Sequence, residues 1–144
     1  MSEQHQFNWS RLGNLEEGRQ TLGTEMPVAV YRLMQFTIMD ELNSRYTKEE
    51  ADDILRNAGY RAGQALATNI LDLKQDFGAF AAQLQKTLKE LKIGILKIEK
   101  MNHDSLEFIL TVDEDLDCSG LPVYGDTVCI YDEGFIAGIF TLFT

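Results

Sequence analysis

The hydrophobic period of this chain changes once, near Gly94, and that change limits the fold more than any other feature. From Pro27 to Leu91 the apolar residues recur at spacings of three and four, as on amphipathic helices. Beyond Gly94 they alternate. Leu96 and Ile98 stand between Lys97 and Glu99, and then Leu106, Phe108, Leu110 and Val112 alternate with Glu107, Ile109, Thr111 and Asp113. Period two on either side of a polar Asn102-His103-Asp104 turn predicts a β-hairpin over 93–112. A lone hairpin is marginal in water, so its apolar face must rest on the helices. The expected class is therefore α+β, with several helices packed on a small antiparallel sheet.

The helical part divides at local signals. Leu15 to Leu22 reads as a short helix ending at Gly23. Pro27 suits a first helical turn, and Tyr31, Met34, Ile38 and Leu42 form the stripe that follows. Thr47 and Glu50 make a capping box that opens the next helix. Its expected buried stripe is Ala51, Ile54, Leu55, Ala58, Ala62, Ala65, Leu66 and Ile70. Glycine costs about 1 kcal/mol in a helix interior. Gly59 and Gly63, four apart in that helix, therefore mark a close approach, either by a neighbouring helix or by a ligand. Asp76 opens a third helix carrying Phe77, Phe80, Ala81, Leu84, Leu88 and Leu91.

After the hairpin, residues 113–127 read as a solvated acidic connector rich in turn residues. A last helix is expected from Thr127, with Val128, Cys129, Ile136, Ile139, Phe140 and Phe143 on its stripe. It runs to Thr144 without a stop signal, which together with the meagre sheet suggests a domain whose closing strands are missing from the chain. Residues 1–13 read as an arm anchored by Phe7, Trp9 and Leu12, and 14–144 as one domain.

Charge and motif content narrow the function. The net charge of -10 disfavours duplex nucleic acid and anionic membrane surfaces. Lys86, Lys89, Lys92, Lys97 and Lys100 are interleaved with Glu90 and Glu99 and read as a solvated face. No apolar run is long enough to span a bilayer, and the polar start does not resemble a signal peptide, so a cytoplasmic location is expected. His5 and His103 fall in the arm and the hairpin turn, away from any nucleophile pattern. No Ser-His-Asp order, phosphate loop or dinucleotide fingerprint is present. Asp113, Glu114, Asp115 and Asp117 lack the order of a calcium loop.

The two cysteines, Cys118 and Cys129, leave several readings open. In a reducing compartment they are not expected to form a structural disulfide. They can be small buried hydrophobes. They can also form a thiol switch, which needs Cα atoms within about 7 Å. Alone they cannot complete a four-ligand zinc site.

The segment Gly125 to Gly138, with Cys129, Tyr131 and Gly134-Phe135-Ile136-Ala137-Gly138, resembles the 4-vinyl reductase domain family of predicted hydrocarbon-binding proteins. Gly18-Arg19, Leu22-Gly23, Val28 to Leu33 and Ala58 to Gly63 are similar to that family too, as is the order of the elements. The resemblance implies a fold shared with subunits of a vesicle-tethering complex and with bacterial ligand-sensing domains, in which helices and an antiparallel sheet enclose an apolar cavity. It implies a homodimer. It also implies zinc in the complete family domain, with Cys129 as one ligand. The other ligands would lie beyond Thr144, leaving Cys118 as a substitute second ligand.

The function expected is binding of a hydrophobic or aromatic small molecule, without catalysis. The expected contacts are Tyr31, Met34, Phe36, Gly59, Gly63, Phe77, Phe80, Phe108, Tyr131 and Phe135. A homodimeric interaction module is the alternative. Reduction of a tetrapyrrole vinyl group, in the sense of the family name, is the lesser one.

Overall fold

The computed structural model describes residues 7–102, 107–120 and 129–143. Four helices pack with a two-stranded antiparallel sheet: α1 (Val28–Arg45), α2 (Lys48–Ile70), α3 (Phe77–Glu90), β1 (Ile95–Asn102), β2 (Glu107–Asp113) and α4 (Ile130–Phe143). This is the α+β arrangement that the change of period predicts.

The helix starts follow their local chemistry. At α2 the Thr47 hydroxyl accepts from the Glu50 N–H at 3.2 Å, and the Glu50 carboxylate accepts from the Thr47 N–H at 3.3 Å. At α3 the Asp76 carboxylate accepts from the Ala79 N–H at 2.8 Å. That helix closes with Lys92 in the left-handed region (φ 61°), while the Ile93 N–H reaches back to the Leu88 carbonyl at 2.9 Å. In the hairpin, Ile95 pairs with Asp113 and Asn102 with Glu107, and the register slips between Ile98 and Lys100.

The core lies between α2, α3, α4 and the inner face of the hairpin. Leu66, Phe80, Leu84, Leu88, Leu96, Phe135, Ile139 and Phe140 are buried together, with Trp9, Leu110 and Val112 against them. Phe80 stacks on Phe143 with ring centroids 4.2 Å apart, and meets Phe140 edge-on.

The tightest junction is α2 on α4. A Cβ on Gly59 would run into the Tyr131 carbonyl oxygen, and one on Gly63 into that of Phe135. The same holds in reverse for Gly134 against Arg56 and Gly138 against Tyr60. Four glycines thus let two helix backbones touch. The close approach marked by Gly59 and Gly63 is made by a helix, and no room for a ligand remains beside them.

Three expectations need correction. Leu15 to Leu22 is not a helix. Gly18 (φ 67°) and Gly23 (φ 74°) take left-handed conformations that build turns, and Arg19 bridges Gly23. The stripe expected to be buried on α2 is buried only at Ala51 and Leu66, while Ile54, Ala58 and Ile70 are exposed, and on α1 only Gln35 is buried. The connector is not wholly solvated, since Asp115 and Asp117 are buried. His5 and His103, read as idle, Leu106 of the expected hairpin, and the Gly125 to Val128 part of the family-like segment lie outside the described residues.

Candidate functional site

A recess of about 220 Å³ opens between α1, α2 and the start of α4. Tyr31, Met34, Gln35, Ile38 and Met39 come from α1, Leu55 and Ala58 from α2, and Ile130 and Tyr131 from α4. The wall is apolar apart from the two phenols and one amide. An apolar cavity of about 150 Å³ can hold benzene, so this recess has the volume for a single substituted ring. A larger trough of about 940 Å³ runs between Phe7–Ser10 and the face of α2 around Arg61 and Ala65. It is a broad open surface with no buried polar group, and it encloses a ligand less well.

Gln35 is the unusual wall residue. It is 8% exposed, and its Oε1 has no hydrogen-bond partner among the described residues. An unsatisfied buried acceptor costs about 1–3 kcal/mol. It lies four residues from Tyr31 and three from Ile38 on the same helix face, which puts the residue on the recess wall while Oε1 itself is shielded from water.

Behind Tyr31 and Tyr131 stands a group of buried carboxyls. The Tyr31 hydroxyl donates to Asp117 Oδ1 at 2.6 Å. Asp117 Oδ2 accepts from the Asp132 N–H in the first turn of α4 at 3.2 Å, and Asp115 Oδ1 accepts from the Asp117 N–H at 2.8 Å. Asp117 thus caps a helix from a distant loop, satisfying one of its orphan donors. The Asp115, Asp117 and Asp132 carboxyl oxygens lie within 4.8 Å of one another.

Three like charges cannot be held so close in a dry site. Burial first, and then hydrogen bonds and charge from Asp115 and Asp117, push the Asp132 carboxyl up to about 10. It is protonated at neutral pH and shares its proton with its neighbours. Burial also raises Asp117. Burial, with the hydrogen bond to Asp117, raises the Tyr31 phenol, and burial with the charges of Asp117 and Asp132 raises Tyr131. Both phenols stay neutral.

The loop holding Asp115 and Asp117 is fastened on every side. The Arg32 guanidinium donates to the carbonyls of Leu116 (2.9 Å), Asp115 (3.4 Å) and Ser119 (2.7 Å). The Leu116 N–H donates to the Ile93 carbonyl at 2.8 Å. Cys118 is joined to Cys129 by a disulfide, with Cα atoms 5.8 Å apart. This corrects the expectation that the pair stays unbonded. Eleven residues apart in sequence, the two are brought together because Asp117 docks on the first turn of α4. Asp115 completes a cluster with both sulfurs within 4.8 Å. Zinc needs thiolates, which joined sulfurs do not offer.

The expected contact residues therefore separate. Tyr31, Met34 and Tyr131 meet in the recess. Gly59 and Gly63 form the seam with α4. Phe77 and Phe80 are core aromatics against Phe140 and Phe143. Phe135 belongs to the same core, and Phe36 is half-buried away from the recess wall. Phe108 pairs with Met101 in the hairpin, and its side chain lies outside the described residues. Gln35, Ile38, Met39, Leu55, Ala58 and Ile130 complete the wall without having been expected there. Gln35 carries a sequence signal, as the one polar side chain inside the run Val30 to Phe36 that repeats the Tyr31 face.

No family model matches the chain, and no solved structure matches it. An uncharacterized protein of Methanocaldococcus jannaschii is 26% identical over 118 residues, which cover 82% of this chain and 61% of that protein. The chain thus aligns to somewhat less than two thirds of its relative, and the likeness carries no statement of activity.

Proposed function

We propose that the domain binds a small hydrophobic or aromatic molecule in the recess between α1, α2 and α4, and that it does so without catalysis. The observation that carries this reading is the recess itself, about 220 Å³ walled by Met34, Ile38, Met39, Leu55, Ala58 and Ile130, with Tyr31, Tyr131 and Gln35 as its few polar groups. A concave, mainly apolar wall with a few polar groups is the usual make-up of a small-molecule site. The similarity to hydrocarbon-binding domains points the same way. In the cytoplasm expected from the sequence, the Cys118–Cys129 bond would be reversible and would act as a thiol switch on the loop behind the recess. Zinc would require that bond to open.

Ala58 gives a direct test. It is exposed at the recess rim, so a larger side chain there fills the recess without entering the core. Calorimetric titration with benzyl alcohol should show saturable binding to the wild type and none to Ala58→Phe. Equal binding to both would refute the site.

A second reading is favoured by α1 itself. Val30 (51% exposed), Leu33 (69%) and Met34 (55%) leave an apolar face on that helix. It suits a second copy of the chain, as in a homodimeric interaction module. Sedimentation equilibrium of Leu33→Glu against the wild type tests this, with loss of a dimer as the expected outcome and an unchanged mass as the refuting one.

A further inference from the structure

Resting on the recess as a binding site, we propose that the Cys118–Cys129 disulfide is a redox latch on its α1 wall, so that the oxidised protein holds the ligand and reduction weakens binding by loosening α1. The walls of the recess are unequal. Ile130 and Tyr131 stand on α4, which the glycine seam joins backbone to backbone with α2. Those two helices cannot shift without breaking the seam. Helix α1 has no such junction. Only Gln35 on it is buried, and Val30, Leu33 and Met34 are exposed. An element with so few buried apolar contacts is the one that moves at low cost.

What fastens α1 is polar. Among the described residues, the side-chain hydrogen bonds that α1 makes to other parts of the chain all end on 115–119. Tyr31 donates to Asp117, and Arg32 to the carbonyls of Asp115, Leu116 and Ser119. That segment is joined to the fixed body through the Leu116 N–H on the Ile93 carbonyl, through Asp117 on the Asp132 N–H, and through the disulfide. Of these links the disulfide is the one a redox couple can cut. Cys118 follows Asp117, and Cys129 precedes Ile130 and Tyr131, its carbonyl accepting from the Glu133 N–H of α4. The bond therefore ties the anchor of the movable wall to the head of the fixed one. Both cysteines are partly exposed, within reach of a small thiol. The thiolate of such a reductant attacks one sulfur, and a second displaces the mixed disulfide. Two electrons and two protons pass to the protein, which gains two thiols while the reductant becomes a disulfide.

Benzyl alcohol is titrated calorimetrically into the oxidised full chain and into the chain in excess dithiothreitol, with thiol content and circular dichroism recorded for both. The oxidised form should bind about tenfold tighter, a coupling of ordinary size between two sites. Linkage demands the reverse effect as well: saturating benzyl alcohol should move the equilibrium with a glutathione couple toward the protein disulfide by the same factor. The double variant Cys118→Ser, Cys129→Ser should bind like the reduced wild type and ignore dithiothreitol. Arg32 lines no part of the recess, and Arg32→Met cuts a tether while leaving the bond. Its oxidised and reduced forms should differ less than those of the wild type. Equal affinity of the two wild-type forms, with binding lost in Ala58→Phe, would leave the site standing and overturn the latch. So would a reduced protein that has lost its helical signal, because the bond would then be a staple of the fold. If the oxidised protein binds nothing, or Ala58→Phe binds like the wild type, the site itself falls and the proposal with it.

Discussion

Helix α2 has two neighbours, and it treats them differently. Toward α4 it presents Gly59 and Gly63, and α4 answers with Gly134 and Gly138, so that backbone meets backbone and no space is left. Toward α1 it presents Leu55 and Ala58 to a helix that touches it lightly, and the gap becomes the recess. One side removes side chains to bring helices together. The other keeps side chains and leaves a space between them. Small residues in a helix are thus ambiguous: at Gly59 they mean contact, and one position earlier, at Ala58, they mean room.

Breaking the seam should have the largest effect. Gly63→Val drives two methyl groups into the α4 backbone, and forced overpacking there should cost about 3 kcal/mol or more. Urea denaturation would show it as a large fall in midpoint or as a protein that does not fold. The reciprocal change, Gly138→Val, should do the same, since it meets the Tyr60 carbonyl.

The recess side is held by covalent and charged links instead. Replacing Cys118 and Cys129 by Ser should cost about 3 kcal/mol under oxidising conditions, from the entropy of the freed loop. With excess reductant the variant and wild type should denature alike. A gap that persists in reductant would place the effect in packing and not in the bond.

The buried carboxyls should make this side pH-sensitive in an unusual direction. Asp132 keeps its proton up to about 10 in the folded state, whereas an unfolded aspartate releases it near 3.9. Between those values the folded chain binds more protons than the unfolded one, so stability falls as pH rises, and the contribution is fully present only below about pH 4. Denaturation midpoints at pH 5.5, 7 and 8.5 should decline in the wild type. The slope, on the order of 1 kcal/mol per pH unit at most, should flatten in Asp132→Asn, whose side chain imitates the neutral acid. A wild-type midpoint that rises over that range would contradict the shared proton.

Gln35→Leu should produce the smallest change. Removing an unsatisfied buried acceptor should raise the stability of the ligand-free protein by about 1 kcal/mol.

Much of this architecture is legible in the chain before folding. The change of period at Gly94 gives the hairpin, and Thr47 with Glu50 gives the start of α2. These are local signals, carried within a few residues. The burial of Ile54 and Ile70 on α2 was misread because periodicity reports which face is apolar, not whether another element arrives to cover it. The cysteine pairing, which the sequence leaves as one open reading, and the carboxyl group depend on contacts that are not local. Cys118 and Asp117 meet Cys129 and Asp132 in a fold where Arg32 and Ile93, far away in sequence, hold the segment 115–119 in place. Of the site, Tyr31, Met34 and Tyr131 could be found from their chemistry, while Gln35 was passed over because a glutamine on a helix ordinarily faces water.

The central claim is that the space beside Ala58 receives a ligand and the space beside Gly59 does not exist. Carbon-13 methyl spectra of protein labelled at methionine and isoleucine, titrated with benzyl alcohol, test it directly. Met34, Met39, Ile38 and Ile130 line the recess, whereas Ile139 is fully buried beside the Gly63 seam. The first four should shift together along one saturating curve while Ile139 stays in place. A shift at Ile139 as large as theirs, or no saturating shift at any of the four, would contradict it.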